Sequence, residues 1–356
     1  MIRLAVDAIN LLADRRGMGR FALAVLDAAI EREDIALTLL VRRETTRAYR
    51  DLLKSDRFAL AGLASAATRG RYDVVWYPWN GIRFKSRAPA LVTMHDLFAF
   101  EYPARGWIAR RREQGPIRRA ARVATRIATN SAYTRERVID FFHLAPANVV
   151  SIPHAPDRFF WPGYEAPPVE PPFVLAVGLG EKRKNASFLI DAFARAFPKR
   201  DVRLVVAGSI DPRAVKRAKR KRVALVLVSP DDRELRTLYR TATAVAIPSL
   251  AEGFGLVAVE AQACGAAVIA SSTTALPEAV GEAGLLVDPT NRAAWASALR
   301  SVVTDESLRS WLASKSEQKW GFTSRNSATT RTIEELVGLA CVGACGEQEP
   351  GLSSVR

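Results

Sequence analysis

Along most of the chain, short apolar runs alternate with segments whose apolar residues recur at helical spacing. In the first half the runs fall at 2–7, 36–41, 73–77, 91–95, 126–129 and 148–152. Helical spacing marks 18–31 and 131–142 between them; Ser131 is placed to cap the second, with Val138, Ile139 and Phe142 on one face. Such alternation predicts a parallel sheet with crossover helices. The stretch 153–172 breaks the rhythm with seven prolines, which neither a helix interior nor a central strand accepts. A second series follows, with strands expected at 173–178, 203–207, 223–228, 244–248, 266–271 and 284–287. Its helices are expected at 185–197, 212–222, 231–242, 255–264, 291–303 and 305–318. The pattern predicts two Rossmann-like, doubly wound α/β domains, 1–155 and 173–320, with a proline-rich hinge at 156–172. Residues 321–356 are expected to hold a helix at 326–339 and a loose tail from 340; whether that helix crosses back to the N-terminal domain is open from sequence. Ligands of such sheets sit at the carboxyl ends of strands, here expected in a cleft between the domains.

A chain of 356 residues is too long for one ordinary core, and an apolar content of 49% suffices for two. It has no run of 18 apolar residues, and MIRLAVDAIN reads as a first strand rather than a signal peptide. Cys264, Cys341 and Cys345 are too few for a disulfide framework and point to a reducing, cytoplasmic compartment. Cys341 and Cys345 lack the companions a zinc site needs. The net charge of +15 draws the protein to polyanions: nucleic acid, anionic lipid or a phosphorylated substrate. From Arg105 to Arg126 there are eight Arg and one Glu, interspersed with Trp107, Ile108, Ile117 and Val123. This stretch suits peripheral docking on the anionic inner face of a membrane or cradling of a lipid diphosphate; the bland alternative is a solvated helix face. Lys216 to Arg222 forms a second basic cluster with the same bland alternative.

Candidate chemistry gathers at strand ends. Glu252-Gly253-Phe254-Gly255-Leu256 precedes a helix that ends near Gly265, which suits a C-cap. Glycines at a helix start let backbone amides approach an anion, and the helix dipole adds favourable potential. Glu252 and Glu260 stand in a Glu-x7-Glu spacing; each read alone is equally well a dipole-complementing or solvated carboxylate. Lys182, Arg183 and Lys184 lie in GLGEKRKN, at a strand-to-helix turn where they could neutralise a diphosphate. Gly17 and Gly19 flank Met18 before a helix; alone they are as consistent with a plain loop. His95 follows the strand ALVTM, at the end that faces ligand in this architecture.

These blocks resemble the family-4 retaining glycosyltransferases of the GT-B fold, in particular bacterial mannosyl- and rhamnosyltransferase-type members. The resemblance covers roughly 1–320 and runs through GMGRF at 17–21, VTMHDLFAFEYP at 92–103, ATNSAYT at 128–134 and VVSIPHAPD at 149–157. It continues in VGLGEKRKN at 177–185, LVVAG at 204–208, PSLAEGFGLVAVEAQACG at 248–265 and LPEAVGEAGLLVDP at 276–289. It implies that Gly17 and Gly19 approach the donor diphosphate and that His95 contacts the donor sugar. By the same resemblance Arg183 and Lys184, beside Gly178, hold the leaving diphosphate, and Glu252 binds sugar hydroxyls. Phe254, Gly255 and Leu256 would offer backbone amides, and Glu260 would bind the ribose. Leu179 stands where many members carry Arg, and Val257 and Ala267 replace usual prolines.

What this implies is a hexosyltransferase using a nucleotide sugar, GDP-mannose favoured with dTDP- or UDP-sugars open, and a polysaccharide or lipid-linked saccharide acceptor. The product linkage would be α, by front-face displacement. The sequence has no D-x-D-type carboxylate pair, so no essential metal or other cofactor is expected; cations and helix amides would stabilise the leaving group. Eight residues of helix separate Glu252 and Glu260 by about 12 Å, against roughly 5 Å for a retaining hydrolase pair. Rival readings are a rhamnosyl- or glucosyltransferase of the same family, a sugar-nucleotide epimerase or phosphorylase, and a sugar-nucleotide-binding scaffold with a decayed site. A basic nucleic-acid- or membrane-binding protein without catalysis is the rival from another class; the chain has no helix-turn-helix, RNP or zinc pattern, so nucleic acid is not expected as a partner.

Overall fold

The computed structural model describes residues 1–14, 17–42, 46–320 and 327–345. In chain order the first half holds β1 (Ile2–Asp7), α1 (Gly17–Ile30), β2 (Ile35–Val41), α2 (Thr46–Leu53), β3 (Ala59–Gly62) and β4 (Val74–Tyr77). It continues with β5 (Ala90–Met94), α3 (Phe98–Glu101), α4 (Trp107–Val123), β6 (Arg126–Thr129), α5 (Ala132–Phe142) and β7 (Val149–Ser151). The second half holds β8 (Phe173–Leu179), α6 (Ala186–Ala196), β9 (Arg203–Ile210), α7 (Pro212–Lys221), β10 (Leu225–Val228), α8 (Asp232–Thr241) and β11 (Ala244–Ile247). It ends with α9 (Leu256–Ala263), β12 (Val268–Ser271), α10 (Leu276–Val280), β13 (Gly284–Val287), α11 (Arg292–Thr304) and α12 (Glu306–Trp320), before α13 (Ser327–Cys345).

Two compact units result. Unit 1 is residues 1–154 with α13; unit 2 runs from Ala155 to the end of α12. Unit 1 carries a seven-stranded sheet in the order β3-β2-β1-β4-β5-β6-β7, and unit 2 a six-stranded sheet in the order β10-β9-β8-β11-β12-β13. All described pairings are parallel, including Leu4 with Leu37 and Leu175 with Val205. Each order reverses beside its first strand, at β1/β4 and β8/β11, which opens a crevice at the carboxyl ends of those strands.

Both sheets are covered on both faces, so their strands are apolar at nearly every position rather than alternately. On β4, Val74 and Trp76 join one core while Val75 and Tyr77 join the other. On β9, Leu204 and Val206 divide from Val205 and Ala207 in the same way. Helix ends follow their expected chemistry: Ser131 Oγ accepts from Thr134 N at 3.0 Å. Gly265 follows the C-cap of α9 with φ +85°.

The sequence reading omits β3, a short edge strand reading ALAG, and the helices α2, α3 and α10. Helix α13 reaches Cys345, six residues into the stretch expected to be a loose tail; the rest of that tail, 346–356, lies outside the described residues, as does 321–326. Its Ile333, Leu336 and Leu339 complete the core of unit 1 beside α1 and β4. Arg331 donates to the Ser151 carbonyl at 2.8 Å, and Arg126 pairs with Glu335 at 3.4 Å. The proline-rich segment is fastened within unit 2: Arg236 of α8 lies over the rings of Phe159 and Trp161 at 4.4 and 4.3 Å and pairs with Glu165 at 3.1 Å. Among the described residues, no helix is long and apolar enough to cross a membrane.

Candidate active site

In unit 2 the chain leaves β8 through an irregular step between Val177 and Leu179, where Gly178 has φ +63°. A single 3₁₀ turn of Lys182–Lys184 then brings its cations toward the loop after β11. That loop carries Glu252, which is 8% exposed. Lys184 Nζ donates to Glu252 Oε1 at 2.6 Å, Ser249 Oγ to the same oxygen at 2.7 Å, and Arg183 Nη1 to Oε2 at 2.9 Å. Arg183 also donates to the Ala251 carbonyl at 3.0 Å, and Leu250 N to the Arg183 carbonyl at 2.7 Å, so the two strand-end loops are cross-braced. Burial alone would raise the Glu252 pKa, but the charges of Lys184 and Arg183 hold it below the ordinary carboxylate value.

Two cations share one buried carboxylate. Arg183 also meets Glu181 with Nε and Nη2, at 2.9 and 3.3 Å, so the four side chains balance in charge. The Glu181 side chain is 67% exposed against 12% for Arg183, so that carboxylate lies on the solvent side of the cluster.

Helix α9 begins directly after this loop. Gly255 precedes it with φ +111°, and a Cβ there would come within 2.8 Å of Leu276 Cδ2, so both conformation and packing favour glycine. A helix start leaves its first amides without intrahelical partners, and no side chain caps this one. Phe254 is buried in the core, which anchors the loop, and Leu256 is the first helical residue. Glu260, inside α9 and 6% exposed, accepts from Tyr239 Oη at 3.1 Å.

In unit 1, His95 follows β5 and is buried. Its backbone N donates to Asn80 Oδ1 at 2.5 Å; its Nε2 lies 2.9 Å from the Pro78 carbonyl and its Nδ1 3.3 Å from His154 Nε2. Phe21 of α1 covers the pair, with its ring 4.1 Å from that of His154. Burial drives the His95 pKa down to about 4, against smaller opposing effects of the Pro78 carbonyl and Asp14. Burial and then His95 itself lower His154 as well. Both imidazoles are thus neutral at pH 7. Gly17 and Gly19 form the first turn of α1 rather than a loop before it, and a Cβ at Gly19 would lie 1.8 Å from the Asp14 carbonyl oxygen.

The fold brings Arg183, Lys184 and Glu252 into direct contact, sets Gly255 and Leu256 at the adjoining helix start, and places Glu260 on the same helix. His95, Gly17 and Gly19 belong to unit 1. Leu179 is buried in the core of unit 2. Sequence reasoning assigned nothing to Ser249, Tyr239, Asn80, Asp7 or His154. Asp7 ends β1 beside the sheet reversal, is fully buried, and has one carboxylate oxygen, Oδ2, without a hydrogen-bond partner among the described residues. His154 sits inside a quoted motif, and the available signal was the scarcity of histidine: three in the chain.

Two families match in tandem: "Glycosyl transferases group 1" over residues 157–319 and "Glycosyltransferase Family 4" over 21–158. The chain is 30% identical over 301 residues to a D-inositol 3-phosphate glycosyltransferase of Corynebacterium efficiens, covering 75% of this chain and 68% of that protein. It is 28% identical over 273 residues to the O-antigen chain mannosyltransferase B of Escherichia coli, covering 68% of this chain and 69% of that one. Other D-inositol 3-phosphate glycosyltransferases align over 20% to 49% of their length. Among solved structures, Anabaena HepE in complex with UDP and glucose superposes with a TM-score of 0.72 at 16% identity, over 94% of this chain and 100% of that one. With the two parallel-sheet units and the strand-end cluster, these matches establish that the chain belongs to the family-4 glycosyltransferases of the GT-B fold.

Proposed function

We propose that the protein is a retaining hexosyltransferase that moves a sugar, mannose by preference, from a nucleoside-diphosphate donor to a saccharide or lipid-linked saccharide acceptor, forming an α linkage. The observation that carries the reading is the Lys184–Glu252–Arg183 cluster beside the uncapped start of α9. Departure of a sugar from a diphosphate builds negative charge on the phosphate oxygens and positive charge on the sugar. Lys184, Arg183 and the first amides of α9 are suited to meet the former. Glu252, kept ionised by its two cations, is suited to accept from sugar hydroxyls. Glu260 is suited to the ribose. Mannose is favoured by the likeness to an O-antigen mannosyltransferase, and a UDP-sugar by the ligand of the Anabaena structure.

The acceptor side of the proposal rests on α4. Trp107 and Ile108 are 72% and 53% exposed at its start. A groove of about 680 Å³ runs along it, lined by Trp107, Arg110, Arg111, Arg118 and Arg122. Arginine beside exposed Trp and Ile suits an anionic interface that carries a lipid-linked acceptor.

Thermal unfolding should be followed with GDP-mannose, UDP-glucose, UDP-galactose and dTDP-rhamnose in turn. A true donor raises the midpoint, because it binds only the folded chain. Incubation of that donor with a saccharide acceptor, and reading of the anomeric coupling in the product, tests retention. A product with the anomeric configuration opposite to that of its donor would reject the retaining mechanism, and absence of any shift with all four donors would reject this donor set.

A further inference from the structure

The two buried imidazoles of unit 1, both neutral, can be assigned tautomers from their hydrogen-bond geometry. The Pro78 carbonyl oxygen only accepts, so the His95 Nε2 beside it at 2.9 Å carries a hydrogen. A neutral imidazole with Nε2–H has a lone pair on Nδ1. That lone pair faces His154 Nε2 at 3.3 Å, and one hydrogen must lie between the two nitrogens, so His154 Nε2 carries it. The result is a directional chain: His154 Nε2–H donates to His95 Nδ1, and His95 Nε2–H donates to the Pro78 carbonyl.

Every member of that chain is held from elsewhere. The Pro78 carbonyl belongs to the loop after β4, which Trp79 Nε1 ties to the Asp7 carbonyl at 2.7 Å. Asn80, two residues on, receives the His95 backbone N–H and donates its own N–H to the Thr93 carbonyl at 3.1 Å. His154 follows the edge strand β7, whose pairing continues through Ile152 N to the Thr129 carbonyl at 2.7 Å. Phe21 stacks over His154 and meets His95 edge-on, with centroids 6.0 Å apart. A ring held at both nitrogens and braced on one side has one orientation.

We propose that His154 is a positioning residue: it holds His95 as the neutral Nε2–H tautomer in a fixed orientation, so that the carboxyl end of β5 presents a fixed, uncharged ring to the transfer reaction. The role in transfer rests on the glycosyltransferase reading above; the tautomer assignment does not. His154 acts through His95 and need touch no substrate.

The chain contains three histidines, His95, His143 and His154, so ring-¹⁵N-histidine labelling gives three spin systems, assignable by substitution. In the unmodified protein at pH 7, His95 and His154 should both show the neutral Nε2–H coupling pattern. A charged ring or an Nδ1–H pattern at His95 overturns the proposal whatever the activity. His154→Leu keeps bulk but removes the donor; the single-tautomer signature of His95 should be lost, and kcat should fall about 10- to 100-fold with donor KM within about twofold. His154→Gln, whose amide can donate to Nδ1, should recover kcat to within about threefold of the parent. Equal losses in the Leu and Gln variants, or an unchanged His95 signature in the Leu variant, overturn it. If the Leu variant does not fold, the parent spectrum and the Gln variant decide. If no donor supports transfer at all, the functional reading fails while the spectra still judge the tautomer chain.

Discussion

The two units share a strand order and put their chemistry at equivalent sheet ends, yet they solve the burial of polar groups in opposite ways. Unit 2 buries charge and neutralises it locally, with Glu252 between Lys184 and Arg183. Unit 1 buries two imidazoles and keeps them neutral through hydrogen bonds and aromatic cover. A charged cluster can hold a diphosphate but needs strong pairing to persist away from water. A neutral cluster fixes geometry without a field. The difference also shows in how the units are assembled. Unit 2 is one continuous stretch, whereas unit 1 draws in α13 from beyond unit 2.

The sharpest way to break the comparison is to unbalance the ionic side. Lys184→Ala leaves Glu252 with a single cationic partner and removes one positive charge from the cluster. Transfer should fall about 10²- to 10³-fold, the usual scale for losing one preorganised group that meets developing charge. Glu252→Gln should give a comparable loss, because it removes the carboxylate charge proposed to strengthen hydrogen bonds from sugar hydroxyls. Steady-state transfer assays on both variants, with circular dichroism as a fold control, check this; near-parent activity in either one removes that residue from the reaction.

The assembly difference predicts a stability effect confined to one side. Leu336 is 1% exposed in the core that α13 shares with α1 and β4. Leu336→Ala should cost about 2–5 kcal/mol of unit 1 stability, as large-to-small changes in cores do. Amide exchange is the appropriate measurement. Protection should drop in β1 and β4 and hold in β8 and β11, whereas an unchanged β1 would show that α13 contributes little.

How far all this was readable in the chain divides along the same line. Unit 2's cluster comes from residues at strand ends, where the parallel-sheet rule already directs attention, so Glu252, Arg183 and Lys184 stood out. Unit 1's pair depends on contact between positions 59 residues apart, which no local pattern announces. Gly19 could be read as yielding to a phosphate; the structure adds a nearer reason, the Asp14 carbonyl, which lies where a Cβ would be. Strand β3 escaped because Ala and Gly carry almost no periodic signal. The approximate extent of α1 and α5 was legible because apolar spacing and a capping serine agree there.

The smallest expected effect tests whether unit 1 tolerates charge at all. His95, depressed to about 4 from 6.5, contributes stability that is complete above pH 6.5 and is lost as pH falls toward 4. Its neighbour His154 acts in the same sense. Asp7 acts oppositely: burial raises it from 3.8 to about 6, so its contribution is complete below 3.8 and is lost as pH rises through 6. In the parent the Asp7 slope is opposed by those of His95 and His154 between pH 4 and 6, which masks the cost of the buried carboxylate. Asp7→Asn uncovers it. At pH 7 the variant should be more stable by about 1–3 kcal/mol, the scale of a two-unit shift less the weakening of the hydrogen bond from Ile9 N, and at pH 4 the gain should vanish. Glu252, lowered rather than raised, loses its contribution only below its ordinary 4.5, so unit 2 should not respond over the same interval. Amide exchange in β1 and β8 at the two pH values separates the cases. A gain of equal size at pH 4 and pH 7 would mean that Asp7 is not the buried charge it is taken for, and that unit 1 is stabilised by the substitution through packing alone.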